Sequence, residues 1–501
     1  MPWIPFLLYS AFIFYLIFKL KFFQLEGLKR GTPLFFFLLK IIASVALWGV
    51  YTFYYTDKSN SDIWKYFDDS KVMTDAFHDH PADYFKMLSG IGDDDSRIDM
   101  TYYHKMNYWY QQFDNNLLND AHIIIRFNAF VRLFSFGNYF THALLMCFLA
   151  FTGLCAIYKI FFPVVKEWKV AAAALFFLLP SLTFWSSGVM KEGLMLLGLG
   201  VVIYNSFCFF TDRKWYRIIY ILLASWLLFF TKLYVLAALI PSSIGAFWVM
   251  KNSKAAVLKF LVVLVLCFAA GMSIKFFKPK DDPLQLLALK QIDFIKQSSG
   301  GTYLYSDSVV AFIASDKRAD LVKINGTFFH IRKGADYYYW KIYPDFKDTL
   351  YANNNHDTTK YKILNDFPRA GSLMESEYLQ PTVKSFLMQS PRALFRALFR
   401  PLPWELKNPM NLLPAFENVI LILLLFLVLF FRGKISSPAI FGFCLTFSLL
   451  LLLVMGLITP VLGALVRYRI AAQPFLFLAL LMCIDREKLM KRWKWLEKFG
   501  I

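Results

Sequence analysis

Uninterrupted apolar blocks recur along the whole chain, each close to the roughly 20 residues that span a bilayer's hydrocarbon core. A block of that length has no polar face to turn towards water, so it belongs in lipid. Composition agrees: 58% of the 501 residues are hydrophobic and 18% charged, too few to coat a soluble domain. The chain therefore reads as an α-helical polytopic membrane protein. Soluble enzymes, secreted domains, fibrous proteins and disordered tails are excluded.

Taken in order, the blocks give about eleven transmembrane helices. Their limits are 3–19, 33–55, 138–162, 169–187, 193–210, 217–231, 233–250, 256–275, 412–431, 437–459 and 461–484. The first block lacks a basic leading region and a small-residue cleavage site, so it is expected to be a retained span. Lysine and arginine then orient the chain. Lys19, Lys21, Lys29 and Arg30 follow span one, Lys159, Lys166 and Lys169 span three, and Arg213, Lys214 and Arg217 span five. Lys251, Lys254 and Lys259 follow span seven, Arg432 and Lys434 span nine, and a basic tail follows span eleven. Every second connection is short and basic, which places these on the cytoplasmic side. The expected protein is multi-pass in the cytoplasmic (inner) membrane, with its N-terminus outside and its C-terminus in the cytoplasm.

The organisation that follows has two spans in 1–55 and an extracytoplasmic acidic loop at 56–136. Six spans fill 137–275, a small extracytoplasmic domain occupies 276–410, three spans fill 411–484, and 485–501 forms the cytoplasmic tail. The net charge of +19 is carried largely by orienting residues and not by a patch on a soluble fold, so nucleic acid is not an expected partner. All six cysteines lie inside apolar blocks and read as small hydrophobes. Chemistry has to be sought in the two polar segments and at the outer ends of the spans.

The first polar segment opens with Ser61-Asp62-Ile63-Trp64-Lys65-Tyr66-Phe67-Asp68-Asp69. In a helix, spacings of four and seven set Asp62, Tyr66 and Asp69 on one face. A carboxylate at the membrane surface among aromatic rings suits a general base for a hydroxyl, so Asp62, Asp68 and Asp69 are the candidate catalytic acids, with Asp62 first. The bland alternative is a solvated helix face. Asp93, Asp94 and Asp95 follow Gly90 and Gly92; adjacent carboxylates of this kind are candidates for a divalent cation, although an acidic turn has the same composition. No cofactor is otherwise called for.

Two further stretches place charge at membrane depth, where it is costly and usually pairs or lines a cavity. Phe184-Trp185-Ser186-Ser187-Gly188 precedes Lys191-Glu192 at the mouth of a hairpin. Arg467-Tyr468-Arg469 opens the last span. Arginine recognises phosphate in a planar, bidentate manner, and a lipid phosphate sits at this depth. Arg467, Arg469 and Lys191 are thus candidate phosphate ligands, supported by Glu192, Tyr66 and Tyr468.

With these residues the chain resembles the GT-C superfamily of polytopic glycosyltransferases, in the group related to protein mannosyltransferases and lipid A aminoarabinose transferases. The resemblance lies in the acidic start of the first outer loop (Asp62, Asp68, Asp69) and in the hairpin that ends at Lys191-Glu192. It lies also in Arg467-Tyr468-Arg469 followed by Ala472-Gln473-Pro474-Phe475. The chain departs from the simplest pattern in having an extra span before the acidic loop and no Asp-Glu pair opening it. The resemblance implies a GT-C-like fold and one inverting displacement. In it a sugar moves from a polyprenyl-phosphate carrier to a lipid, glycan or protein acceptor at the outer face. A polysaccharide polymerase or ligase is the first alternative, kept open by Arg392, Arg396 and Arg400 before Pro401-Leu402-Pro403-Trp404-Glu405. A lipid-linked-sugar transporter and a partner-binding scaffold are the others.

Overall fold

The computed structural model describes residues 3–55, 61–109, 120–306, 309–325, 328–341, 350–353, 359–367, 369–374, 376–406 and 409–493. Apolar helices α1 (Trp3–Lys19) and α2 (Thr32–Gly49) come first, and α2 runs on through a π-turn to Tyr54. The polar segment folds into α3 (Asp62–Asp79), α4 (Pro81–Ser89), α5 (Ser96–Thr101) and α6 (Ala121–Ser135). Then come α7 (Tyr139–Phe161), α8 (Lys169–Phe177), α9 (Pro180–Trp185), α10 (Lys191–Asp212), α11 (Tyr216–Lys251) and α12 (Ala256–Phe277). A helix α13 (Pro283–Ser299) leads into a β-module, and α14 (Val383–Phe399) leads out of it. The chain closes with α15 (Leu412–Phe430), α16 (Pro438–Ile458), α17 (Leu462–Tyr468), α18 (Gln473–Met482) and α19 (Arg486–Arg492).

Among the described residues, seven helices are long and apolar enough to cross a membrane. The pair 462–471 and 473–482, bent by 58°, makes an eighth when counted as one span. This is a helical polytopic membrane protein. Two of the expected spans are not simple rods. The stretch 169–187 breaks before Pro180, because proline disfavours helical backbone in the residue before it; Leu179 is extended at φ −60°, ψ 120°. The resulting helices of 9 and 6 residues are each too short to cross at 1.5 Å per residue.

The expected spans 217–231 and 233–250 both lie in α11, a 36-residue run whose helical backbone breaks at Lys232 (φ −153°, ψ 77°). Contacts on either side show how sharply. Arg217 Nη1 reaches Asn205 Oδ1 at 3.4 Å, Leu228 packs on Gly198, and Phe247 stacks on Phe210 at 5.1 Å. Arg217 and Phe247 thus both lie beside the last turns of α10, so the chain folds back at Lys232. Small residues let α10 approach α7 closely. A Cβ at Gly153 or Gly200 would run into the facing helix backbone, the kind of seam that packs membrane helices.

In α3 the residues Ile63, Tyr66, Phe67, Met73 and Ala76 point inward, a largely apolar stripe at helical spacing on a helix that packs on α6. These polar-segment helices have their own small core, fused to the bundle through Met146 and Leu194. The β-module comprises β1 (Gly301–Ser306), β2 (Val309–Ala314), β3 (Leu321–Asn325), β4 (Phe328–Ile331), β5 (Asp336–Lys341), β6 (Leu350–Asn353) and β7 (Lys362–Phe367). Five strands form an antiparallel sheet in the order β6-β5-β2-β1-β7, and β3-β4 form a separate ribbon. Its first and last strands pair, Gly301 opposite Phe367, and Ala370 N–H donates to Ser298 O at 2.8 Å. The exit segment then bonds to the start of α17. Met374 N–H donates to Pro460 O at 2.7 Å and Leu462 N–H to Ser372 O at 3.0 Å. The β-module and the polar-segment helices therefore gather at one end of the bundle, the loop end.

Candidate active site

Four helical segments begin close together at the loop end. Asp62 is the first residue of α3, Lys191 and Glu192 open α10, Asp120 stands just before α6, and the second half of α11 starts after Lys232. The first turn of a helix has unpaired N–H groups and a partial positive charge, so anions are favoured where several such turns meet. Arg467 enters from the last turn of α17.

Arg467 binds two carboxylates at once. Its Nε and Nη2 donate to Glu192 Oε1 and Oε2 at 2.6 and 3.0 Å, and Nη1 donates to Asp62 Oδ2 at 2.5 Å. The fork-on-fork contact with Glu192 is the strong, geometrically specific form of an ion pair. The Tyr108 hydroxyl donates to the other oxygen of Asp62 at 3.0 Å. Burial pushes the Asp62 carboxyl up, but the Arg467 guanidinium overrides it and holds the group below its ordinary value. Asp62 is ionised and fixed in orientation.

The second half of the cluster is built on Asp120. Lys191 Nζ donates to Asp120 Oδ1 at 2.6 Å, and Lys232 Nζ lies 3.4 Å from Oδ2. Burial again acts upward on Asp120, and Lys191 and Lys232 hold it well below the usual carboxylate range. Aromatic faces line the cations. Lys191 Nζ is 5.2 Å from the Tyr66 ring and Lys232 Nζ 4.6 Å from the Tyr468 ring. The cluster thus has two poles. Two carboxylates surround one cation at Asp62–Arg467–Glu192, and two cations surround one carboxylate at Lys191–Asp120–Lys232.

The structure sorts the candidates read from sequence. Asp62, Lys191, Glu192, Arg467, Tyr66 and Tyr468 come together. Lys191 and Glu192 do not pair with each other; each has a separate partner. Asp69 lies on the same face of α3 as Asp62 but takes a different part. Fully buried, it accepts Asn107 N–H at 2.7 Å, Asn107 Nδ2 at 3.2 Å and Tyr108 N–H at 2.7 Å. It holds the backbone that carries Tyr108, while Asp68 is on the exposed side of the helix.

Arg469, expected as a phosphate ligand, is instead enclosed. Its guanidinium donates to Ala397 O, Arg400 O, Pro414 O and Asn418 Oδ1 at 3.3, 2.8, 3.3 and 3.0 Å, with Glu417 at 4.0 Å. Asp93, Asp94 and Asp95 diverge. Asp93 accepts from Tyr103 and Arg126, Asp95 caps α5 through Arg97 N–H, and Asp94 is exposed. Among the described residues no three His, Cys, Asp or Glu side chains converge as a metal site. Arg392 and Arg400 are paired with Glu377 and Glu405, and Arg396 donates to Ser376.

Sequence reasoning missed Asp120, Tyr108 and Lys232. Only Lys232 carried a signal: a lone lysine in an apolar stretch from 218 to 250. The chain matches no protein-family model, no curated protein and no solved structure.

Proposed function

We propose that this protein is a GT-C-type glycosyltransferase that moves a sugar from a polyprenyl-phosphate carrier to an acceptor at the outer face of the cytoplasmic membrane. The observation that carries this reading is the two-pole cluster at the loop end. Glycosyl transfer moves negative charge in one direction: the acceptor hydroxyl loses a proton, and the departing phosphate gains an electron pair. A site with an ionised carboxylate at one pole and paired cations at the other matches that flow.

In this reading the acceptor oxygen attacks the anomeric carbon from the side opposite the phosphate. Its proton passes to Asp62, the new carbon–oxygen bond forms, and the bond to the phosphate oxygen breaks with its electrons staying on phosphate. Arg467 and Tyr108 fix the carboxylate in place, and Glu192 anchors Arg467. The apolar helices around the cluster hold the prenyl tail. The topology proposed with it keeps eleven spans, counting two crossings in α11 either side of Lys232 and one broken crossing in α8–α9. The N-terminus is outside, and the basic connections face the cytoplasm.

The test uses purified protein in lipid nanodiscs with a short-chain prenyl-phosphate sugar and follows release of prenyl phosphate. Asp62→Asn keeps the shape and the contacts to Arg467, removes the proton acceptor, and should lower the rate by about 10²–10⁴. Equal turnover by the variant and the parent would remove Asp62 from the chemistry.

A further inference from the structure

Lys191 and Lys232 are buried, their side chains 6% and 7% exposed, and they share one carboxylate whose side chain is 32% exposed. Burying two ammonium groups together is unfavourable unless anionic charge offsets both. Asp120 does this incompletely. Asp62 and Glu192 also favour the charged lysines, but both are hydrogen-bonded to Arg467, so Asp120 alone touches the pair. Its bond to Lys191 is short at 2.6 Å, while the contact with Lys232 is 3.4 Å, beyond good N–H···O range. Lys290 on α13 adds further positive potential at the same carboxylate.

The backbone points the same way. The break at Lys232 removes helical hydrogen bonding inside an otherwise apolar helix, and such breaks persist where the backbone lines a polar site. It also brings the N-terminus of the following half-helix, 233–251, to the pair of lysines, and that end favours negative charge. Arg467 is already saturated by two carboxylates and is the poorer place for an added anion.

We infer that Lys191 and Lys232 form a seat for one phosphate group, and that the Asp120 carboxylate now in it is a stand-in that the phosphate displaces. The phosphodiester of a sugar-loaded carrier offers the two lysines the same pair of oxygens and the same single charge as the carboxylate, and the monoester left when the sugar departs adds a third oxygen and more charge. The inference deepens the glycosyltransferase reading, on which it rests for the carrier as ligand; it keeps Lys191 as a donor ligand and puts Lys232 in the place of Arg467 and Arg469. Asp120 then keeps the positive pole closed until a carrier arrives.

The experiment measures binding of farnesyl phosphate and, separately, inorganic phosphate to the purified full chain in detergent. Lys232→Gln should weaken binding at least about tenfold, the loss of one charge-assisted contact. Lys232→Arg, which keeps the charge, should retain binding and guards against a folding defect. Asp120→Asn should tighten binding about tenfold, by removing the competing carboxylate. Asp75→Asn, the same charge change on the exposed face of α3, should leave it unchanged. Binding of both probes through Lys232 supports a seat for phosphate as such. Farnesyl phosphate alone supports a lipid source, and inorganic phosphate alone supports a free anion. No binding of either probe, no tightening in Asp120→Asn, or indifference to Lys232→Gln would overturn the seat. Lys232-dependent binding in a protein that transfers no sugar sinks the enzyme reading and leaves the seat standing; transfer that ignores Lys232 does the reverse.

Discussion

Arg467 and Arg469 stand two residues apart, and each is the centre of a buried charge network. Around Arg469 the network is closed: the side chains of Arg469 and Glu417 are 1% and 0% exposed, and three carbonyl oxygens, two from the end of α14 and one from α15, converge on the guanidinium. Glu417 in turn accepts Ser181 N–H at 2.7 Å, so α9, α14, α15 and the α17–α18 bend are tied together. Around Arg467 the network is open on one side, with Asp62 24% exposed. The closed network has no room for a ligand and holds the bend in the chain. The open network presents charge where another molecule can reach it. Burial of an arginine in a membrane helix therefore does not by itself make a binding site; a ligand also needs a side left open.

The largest effect should fall on the closed network. Arg469→Met strands Glu417 in an apolar surrounding and should cost about 3–5 kcal/mol of stability, read by thermal unfolding in detergent. Asp62→Asn should lose turnover while its stability stays within about 1 kcal/mol of the parent, because the amide oxygen still accepts from Arg467 and the amide NH2 can donate to the Tyr108 hydroxyl. If Asp62→Asn unfolds as readily as Arg469→Met, the contrast between the two networks fails.

Next comes pH. Burial pushes the Asp69 carboxyl up from 3.8 to about 6 despite the N–H groups it accepts. A raised acid contributes stability that is complete below the unfolded value and is lost as pH rises through the folded one. Stability should therefore fall by about 3 kcal/mol between pH 3.8 and about 6, and Asp69→Asn should flatten that part of the profile. An unchanged profile would separate Asp69 from the fixing of Tyr108.

Tyr108→Phe removes one hydrogen bond to the Asp62 carboxylate. It should lower turnover by about tenfold with little change in stability, sharpening the assignment of Tyr108 to the open network. The smallest effect belongs to the exposed pair Lys71–Asp75, 2.6 Å apart with both side chains more than half exposed. Lys71→Ala should shift stability by less than about 1 kcal/mol, which sets the scale for a charge outside either network.

The membrane character and most apolar helices were legible because hydrophobic blocks of bilayer length admit few other folds. Arg467 was legible because charge at membrane depth demands a reason, and Asp62 because a carboxylate among aromatic rings opens the first polar segment. Arg469 was misread on the same ground. Residues two apart do not share a helix face, so a pair read as one phosphate clamp points to two different places. Asp120 gave no local signal: it lies in a polar stretch, and only the packing of α6 against α3 carries it to Lys191. Pro180 turned an expected rod into two short helices, where hydropathy alone registers only an apolar run.

The β-module enters and leaves the chain at almost one point. Its terminal strands are paired, and the Ser298–Ala370 hydrogen bond closes the neck beneath them. Joining residues that already touch leaves little chain entropy to overcome. The module can therefore be exchanged as a cassette, cut at 300 and 369, without rerouting any membrane helix. A lineage could in this way re-equip the loop end while the buried charges stay as they are.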